Sequence, residues 1–354
     1  MEQIIIKKLE QIRPIIEERR FLLVHSGAYK YLKVKEFFDE FPHVEFSGFT
    51  PNPLYEQVCE GVKLFNEEKC EMIIAVGGGS AIDVAKCIKL YCKMNNQENY
   101  LQQETFDSGV MLIAVPTTAG SGSESTRHAV IYYKEDKQSI SHISIVPDYA
   151  VLEAAVLKTL PDYQKKCTMM DALSQAIESW WSVNSTDTSI KYSIEAIKAV
   201  KSNWEEYIFE NTEESAERIL EASNLAGRAI NITATTAAHA MSYKITSMYE
   251  LPHGHAVAVC LPEVWEYMMG HVEDCIDCRG AAYLQRTLDH ISTLIDVGLY
   301  RSMLERMEMK YPVSRNKVTE VEALVNSVNP ERLKNNPVGL SADALGKMYG
   351  RIVQ

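Results

Sequence analysis

No apolar run in these 354 residues approaches the ~20 needed to span a bilayer, so no membrane helix is expected. Positive charge is also scarce. Lys and Arg number 36 against 48 Asp and Glu, a net charge of −12, and no basic stripe interrupts the deficit. That balance excludes a nucleic-acid partner on electrostatic grounds. Met1-Glu-Gln-Ile-Ile-Ile6 lacks the basic region and long apolar core of a secretion signal. The eight cysteines form no spaced framework, and Cys87, Cys92 and Cys260 sit in apolar contexts, as reduced thiols of a cytoplasmic protein would. Cys275-Ile-Asp-Cys278 is a lone CxxC with no second pair for zinc and no thioredoxin-like surroundings for redox work. Low-complexity linkers and clear repeats are absent too.

The most informative stretch runs from Met72 to Lys86. An apolar strand, Met72-Ile-Ile-Ala-Val, meets Gly77-Gly-Gly-Ser80, and a helical pattern begins at Ala81. Such a turn lets backbone approach a diphosphate, and the helix N-terminus offers it unpaired N–H groups and partial positive charge. The spacing is neither G-x-G-x-x-G nor a P-loop, and Lys86 is not placed as a P-loop lysine. Asp83, one turn into the helix, can accept hydrogen bonds from cofactor amide or hydroxyl groups. A second strand, Met111–Pro116, ends in Thr117-Thr-Ala-Gly-Ser-Gly-Ser-Glu124. In open α/β sheets ligands bind outside the carboxyl ends of the strands, where both loops fall.

From Phe21 to about Val151 strands alternate with helices, which predicts a doubly wound parallel sheet covered on both faces. Ala129–Tyr133 and His142–Val146 read as a hairpin with Asp136-Lys137 in its turn. Beyond Leu157 the period changes to 3.6, with helices expected over 172–181, 189–200, 216–248, 256–269, 284–294, 318–328 and 342–352 and no strand. The fold class is therefore an α/β dinucleotide-binding domain over 1–158 and an all-α metal-binding domain over 159–354. Two domains joined without a linker are expected to share a ligand cleft.

Asp171-Ala-Leu-Ser-Gln175 sets a carboxylate and an amide on one helix face. His239 sits among small residues on another helix, and His253 lies in Leu251-Pro-His-Gly-His255, where Pro252 reads as a helix start. A carboxylate with two or three imidazoles suits a divalent transition metal, although a helical histidine on its own is more often a satisfied polar group.

Taken together, Gly77–Asp83, Pro116–Glu124, Asp171-Ala-Leu-Ser-Gln-Ala-Ile-Glu178, Pro252-His-Gly254 and the fourteen-residue interval from His239 to His253 resemble the iron-containing alcohol dehydrogenase family, whose fold is shared with dehydroquinate synthase. The resemblance runs the length of the chain. It implies reduction of a small aldehyde to a primary alcohol, or the reverse, by NAD(P)H and a divalent metal, Fe²⁺ or Zn²⁺. It assigns Asp171, His239 and His253 as catalytic metal ligands. Gly77, Gly78, Gly79, Ser80, Asp83, Asn52, Thr117, Thr118, Ser121, Lys137 and Gly27 are implied cofactor neighbours. Two residues depart from the pattern. Gln175 stands where an imidazole ligand is usual, so it either binds weakly through oxygen or leaves three ligands and an open position. Tyr243 stands where many members have a histidine thought to relay protons.

A narrower resemblance, through Trp180–Asn184, Thr235–Tyr243 and Asn329–Pro337, is to the branch that reduces phosphonoacetaldehyde to 2-hydroxyethylphosphonate. It makes Arg127, His128, Tyr243 and His255 the expected substrate contacts, since a phosphonate dianion needs cations or N–H donors. His255 has the alternative of supporting the metal helix. Other readings are an alcohol dehydrogenase for another small alcohol and a dehydroquinate synthase-like lyase, whose Lys/Arg-rich signatures the chain lacks. A homodimer is the expected assembly. His25-Ser26-Gly27-Ala28 offers no carboxylate to repel a 2′-phosphate, so NADPH is expected to be accepted, alone or beside NADH.

Overall fold

The computed structural model describes residues 3–134 and 136–354. The chain divides into two compact units. One is the chain up to Leu160 together with Asn211–Gly227, and the other is Pro161–Glu210 with Arg228–Gln354.

In the first unit, strands β1 (Ile4–Ile6), β2 (Phe21–His25), β3 (His43–Phe46), β4 (Met72–Gly77), β5 (Met111–Pro116) and β8 (Tyr149–Val151) form one parallel sheet in the order β1-β8-β5-β4-β2-β3. Every residue of β2 and β4 is buried. That is why both read as unbroken apolar runs rather than alternating ones: a parallel sheet covered on both faces buries each side chain in turn. The chain leaves β2 for β3 on one side and reaches β4 and β5 on the other. The β2/β4 boundary is thus the topological switch point, where such sheets bind ligands. Helices α1 (Tyr55–Glu67) and α2 (Gly79–Tyr91) follow β3 and β4. β1 escaped the sequence reading because three residues show no period.

The hairpin differs from expectation. β6 (His128–Tyr133) pairs antiparallel with β7 (Asp136–Ser141), so Asp136 and Lys137 lie in the strand and not in its turn. The expected second strand, 142–146, is instead a 3₁₀ turn over Ile143–Ile145. The reason is that β7, Asp-Lys-Gln-Ser-Ile-Ser, belongs to a separate two-stranded ribbon and needs no apolar face.

The second unit is helical, and none of its described residues belongs to a named strand. It contains α3 (Asp162–Trp181), α4 (Asp187–Glu205), the end of α5 (Glu213–Thr233), α6 (Ala237–Tyr249), α7 (His253–Gly270), α8 (Ala281–Leu294), α9 (Val297–Arg306), α10 (Lys317–Ser327) and α11 (Ala342–Ile352). The single helix expected over 216–248 is two helices, α5 and α6. Ala234 takes a left-handed φ of 55°, and the new helix starts against a buried carboxylate, Glu178, which collects the N–H groups of Thr236, Ala238 and His239. No described helix is long and apolar enough to cross a membrane.

The division at 158/159 also needs correction, because 211–227 belongs with the first unit. Asn224 there donates to Glu124 Oε1 at 3.2 Å. A side-chain carbon on Gly122 would meet Gly227 Cα at 2.5 Å, so only two glycines allow that approach. Sequence periodicity carries no sign of this return.

Candidate functional site

Two sites emerge, one in each unit. In the first, the Gly-rich and Ser-rich loops leave adjacent strands β4 and β5, and Thr117 N donates to Gly77 O at 3.0 Å. A side-chain carbon on Gly79 would lie 3.1 Å from Ser121 Oγ, and one on Gly78 would lie 3.4 Å from Thr118. A carbon on Gly77 would strike Ala81 Cβ at 2.5 Å, with Ser26 Oγ at 3.6 Å. Ser80 Oγ donates to Pro51 O, and Thr50 Oγ1 donates to Asn52 O at 2.8 Å. Tyr132 N donates to Pro53 O at 2.8 Å, and Lys137 pairs with Tyr132 across the ribbon. The fold thus brings Gly77, Gly78, Gly79, Ser80, Asn52, Thr117, Thr118, Ser121, Lys137 and Gly27 to the carboxyl end of the sheet around its switch point. α2 begins there behind Gly78 with no side-chain cap, leaving its first N–H groups for an anion.

Asp83 does something the sequence did not reveal. Its Oδ1 accepts from Ser123 Oγ at 2.6 Å and its Oδ2 from Val130 N at 2.9 Å. Lys86, fully buried, donates to Ser123 Oγ at 3.0 Å, Thr126 Oγ1 at 3.1 Å and His128 O at 2.7 Å. Together they tie α2 to the Ser-rich loop and to β6. Each Asp83 oxygen thus has one protein donor, a fastening role the sequence did not reveal beside the cofactor contact expected of it. Burial pushes Lys86 down to about 8 against the pull of Asp83 and Glu124. It raises the Asp83 carboxyl in turn.

In the second unit, α3 carries Asp171, α6 carries His239, and His253 opens α7. Their donor atoms all lie within 4.8 Å of one another. His239 Nε2 is 3.2 Å from Asp171 Oδ1, and His253 Nε2 is 4.0 Å from the same oxygen. Bonds of about 2.0–2.2 Å from one ion set donors a little over 3 Å apart, so these three fit a divalent metal. His239 Nδ1 is bonded to Glu178 Oε2, a carboxylate that can only accept, so Nδ1 carries a proton there and Nε2 is the ring atom turned toward Asp171. Burial would lower the His239 pKa, but Glu178 and Asp171 overcome it and push it up to about 9. Burial works against ionised Asp171 as well, and the bond from His239 with the charge of His253 holds it below the usual range.

Glu178, fully buried, is the residue the sequence reading passed over. Its Oε1 accepts from Thr236 N (3.1 Å), Thr236 Oγ1 (2.7 Å), Ala238 N (3.0 Å) and His239 N (3.3 Å). One carboxylate thus caps α6 and orients its histidine. The signal was available: Glu178 follows Asp171 by seven residues, two turns along one helix face. Gln175, one turn from Asp171 and buried, is hydrogen-bonded to that carboxylate, which can only accept, so its amide donates there. Gly254 sets the closeness of α3 and α7, since a side-chain carbon on it would lie 2.1 Å from Cys167 O and 2.9 Å from Asp171 Cβ.

The expected substrate contacts fare unequally. Tyr243, one turn after His239, stacks on His253 with ring centroids 5.7 Å apart and planes 6° apart. Its hydroxyl accepts from Arg332 Nη1 at 3.1 Å. His255 has both ring nitrogens occupied, by Tyr163 OH at 2.7 Å and Lys310 O at 2.9 Å. It is a buried support of the α7 start and not a substrate ligand. Arg127 is exposed just before β6, and His128 is half-buried at that strand's first position, both in the other unit.

Comparison with known proteins agrees with this geometry. The iron-containing alcohol dehydrogenase profile matches residues 3–154, and the profile of that family's C-terminal part matches 166–336. The chain belongs to the iron-containing alcohol dehydrogenase family. Among its relatives is a probable alcohol dehydrogenase of Escherichia coli, 34% identical over 61% of this chain; the match spans only 56% of that protein. A phosphonoacetaldehyde reductase of Streptomyces viridochromogenes is 27% identical over 80% of this chain and 76% of its own length. A sulfoacetaldehyde reductase from Bifidobacterium kashiwanohense, solved with NAD⁺, superposes with a TM-score of 0.87 at 23% identity, covering 99% of this chain and 96% of that one, which shows that the two share a fold.

Proposed function

We propose that this protein is a metal-dependent NAD(P)H oxidoreductase that reduces a small aldehyde to a primary alcohol, with phosphonoacetaldehyde as the substrate and 2-hydroxyethylphosphonate as the product. The observation that carries the reading is the trio Asp171, His239 and His253, whose donor atoms converge, with His239 Nδ1 bonded to a buried carboxylate. When bound, a divalent ion there supplies Lewis acidity toward a carbonyl oxygen, and a nicotinamide supplies hydride.

The chain's own residues do the rest. Asp171, His239 and His253 hold the ion, and Glu178 fixes the imidazole so that Nε2 is the donor atom. Gln175 orients Asp171 through its amide, which leaves a three-ligand set with room for a substrate oxygen. In the other unit, the N–H groups at the start of α2 and the hydroxyls of Ser80, Thr117, Thr118 and Ser121 bind the cofactor's diphosphate. The turn Ser26-Gly27-Ala28 directly after β2 has no carboxylate to repel a 2′-phosphate, so NADPH is accepted. The phosphonate preference is supported by the Streptomyces relative, which matches over more of this chain than the Escherichia coli one.

An aldehyde panel containing phosphonoacetaldehyde, propanal and acetaldehyde, run with NADH and NADPH on the metal-loaded protein, tests the reading. Asp171→Ala should abolish reduction and leave cofactor binding intact. Turnover retained by metal-free Asp171→Ala protein overturns the assignment of the site.

A further inference from the structure

The second unit holds several guanidinium groups with no ion pair among the described residues, Arg228, Arg286, Arg315 and Arg332, and of these Arg332 packs against a ring that itself stacks on a metal-site imidazole. Arg279 is paired with Asp277, Arg301 with Glu263 and Glu266, Arg306 with Glu205 and Arg351 with Glu263. Arg332 has no ion-pair partner among the described residues, in a chain of net charge −12. Its Cζ lies 5.0 Å from the centroid of the Tyr243 ring, and one nitrogen donates to that tyrosine's hydroxyl at 3.1 Å. The same ring stacks on His253, 5.7 Å centroid to centroid. One aromatic ring therefore stands in contact with both a metal-site imidazole and a half-buried cation.

The segment that carries Arg332 is fastened to the helix it faces. Asn329 caps its short helix by accepting from Glu331 N at 3.0 Å. Asn335 donates to Thr235 O at 3.2 Å, at the start of α6, and accepts from Asn184 Nδ2 at 2.8 Å. Asn336, fully buried, donates to Val338 O at 2.7 Å. The guanidinium is thus held by its backbone on one side and by a flat ring on the other, the preorganised form in which a planar fork recognises an oxyanion.

We propose that Arg332, with the Tyr243 hydroxyl, anchors the anionic end of the substrate and selects two-carbon aldehydes that carry a phosphonate. This rests on the reading of Asp171, His239 and His253 as the centre that takes the carbonyl oxygen. The guanidinium Cζ lies no farther from the His253 ring centroid than 5.7 and 5.0 Å laid end to end, so the cation and the metal-site imidazole flank one ring within the dimensions of a small substrate. A dianion engages the fork more strongly than a sulfonate monoanion, and a neutral aldehyde leaves the cation unanswered.

The test compares kcat/KM of the metal-loaded enzyme for phosphonoacetaldehyde, sulfoacetaldehyde and propanal in wild type, Arg332→Met, Arg332→Lys and Tyr243→Phe. Wild type should prefer phosphonoacetaldehyde. In Arg332→Met the ratio of phosphonoacetaldehyde to propanal should fall roughly 10- to 100-fold, chiefly through KM, because a hydrogen bond to a charged group is lost. Arg332→Lys should recover part of the ratio, and Tyr243→Phe should lose less than Arg332→Met. A parallel fall for all three aldehydes would show a structural clip only and overturn the proposal, as would a wild type that prefers propanal. If no aldehyde is reduced, the reading of the metal centre fails on its own. The anchor is then decided by calorimetry with methylphosphonate, where equal binding to wild type and Arg332→Met overturns it and loss in the variant supports it.

Discussion

Gly254 is the position where the smallest chemical change should do the most damage to the metal site. It follows His253 at the start of α7 and lies against α3, where a side-chain carbon would sit 2.1 Å from Cys167 O and 2.9 Å from Asp171 Cβ. The first contact is with backbone, which cannot swing aside. Relief requires α7 and α3 to part by about 1 Å, at an overpacking cost of roughly 1–3 kcal/mol. Metal sites tolerate donor displacements of only about 0.2 Å. Gly254→Ala should therefore pull His253 away from Asp171 and His239. The metal Kd should rise by at least about 100-fold, beyond the 10- to 100-fold that follows loss of a supporting hydrogen bond. The assay is anaerobic titration with Fe²⁺ and Zn²⁺ against a competing chelator, with circular dichroism to confirm the helical unit. Gly270→Ala is the control, because it closes the same helix where a side-chain carbon meets nothing within 4 Å, and it should bind metal as wild type does. A folded Gly254→Ala protein with wild-type metal affinity would falsify the claim that this contact sets the donor spacing.

Three more outcomes follow from the same structure. Glu178→Gln should weaken metal binding about 10- to 100-fold, because the amide no longer accepts the His239 proton with full charge; unaltered affinity in the chelator competition would separate Glu178 from the site. Gly27→Asp should shift preference toward NADH, since its side-chain direction is open and would take a carboxylate to the ribose side; a kcat/KM ratio that does not move would place specificity elsewhere. Lys86 titrates near 8 in the folded protein against 10.5 when unfolded, so between those values the unfolded chain holds more protons and stability rises with pH. The slope is at most about 1.4 kcal/mol per pH unit. Urea midpoints from pH 7.5 to 10 should move in favour of wild type relative to Lys86→Met, and parallel curves would show that the lysine does not titrate in that window.

Motifs that are local in sequence were legible. The Gly-rich turn, the Ser-rich loop and the Asp171 helix each fit within ten residues, and a strand buried on both faces announces itself as an unbroken apolar run, as β4 does. What failed was nonlocal. β7 is polar because its ribbon covers no core, so its register could not be read from hydropathy. The break between α5 and α6 is imposed by Glu178, 56 residues before Ala234 in the chain, and Thr235-Thr236 alone does not say where a helix must restart. His255 carried the look of a ligand, yet the residues that occupy its nitrogens, Tyr163 and Lys310, are far from it in sequence. Arg332 lies within Asn329–Pro337, and its role depends on Tyr243 beneath it, 89 residues earlier in the chain.

The return of residues 211–227 to the first unit bears on how this chain can be divided. Cutting after Leu160 yields a piece that lacks about four helical turns of its own unit: Glu124 loses Asn224, and Gly122 loses the glycine that closes over it. The complementary piece carries that stretch as an orphan. Recombining halves between relatives at the Leu160 boundary would therefore mix two incompatible interiors, whereas a graft that moves 1–160 and 211–227 together keeps both intact. Inheritance of cofactor preference by domain exchange is thus constrained to two crossovers more than a linear reading of the chain suggests.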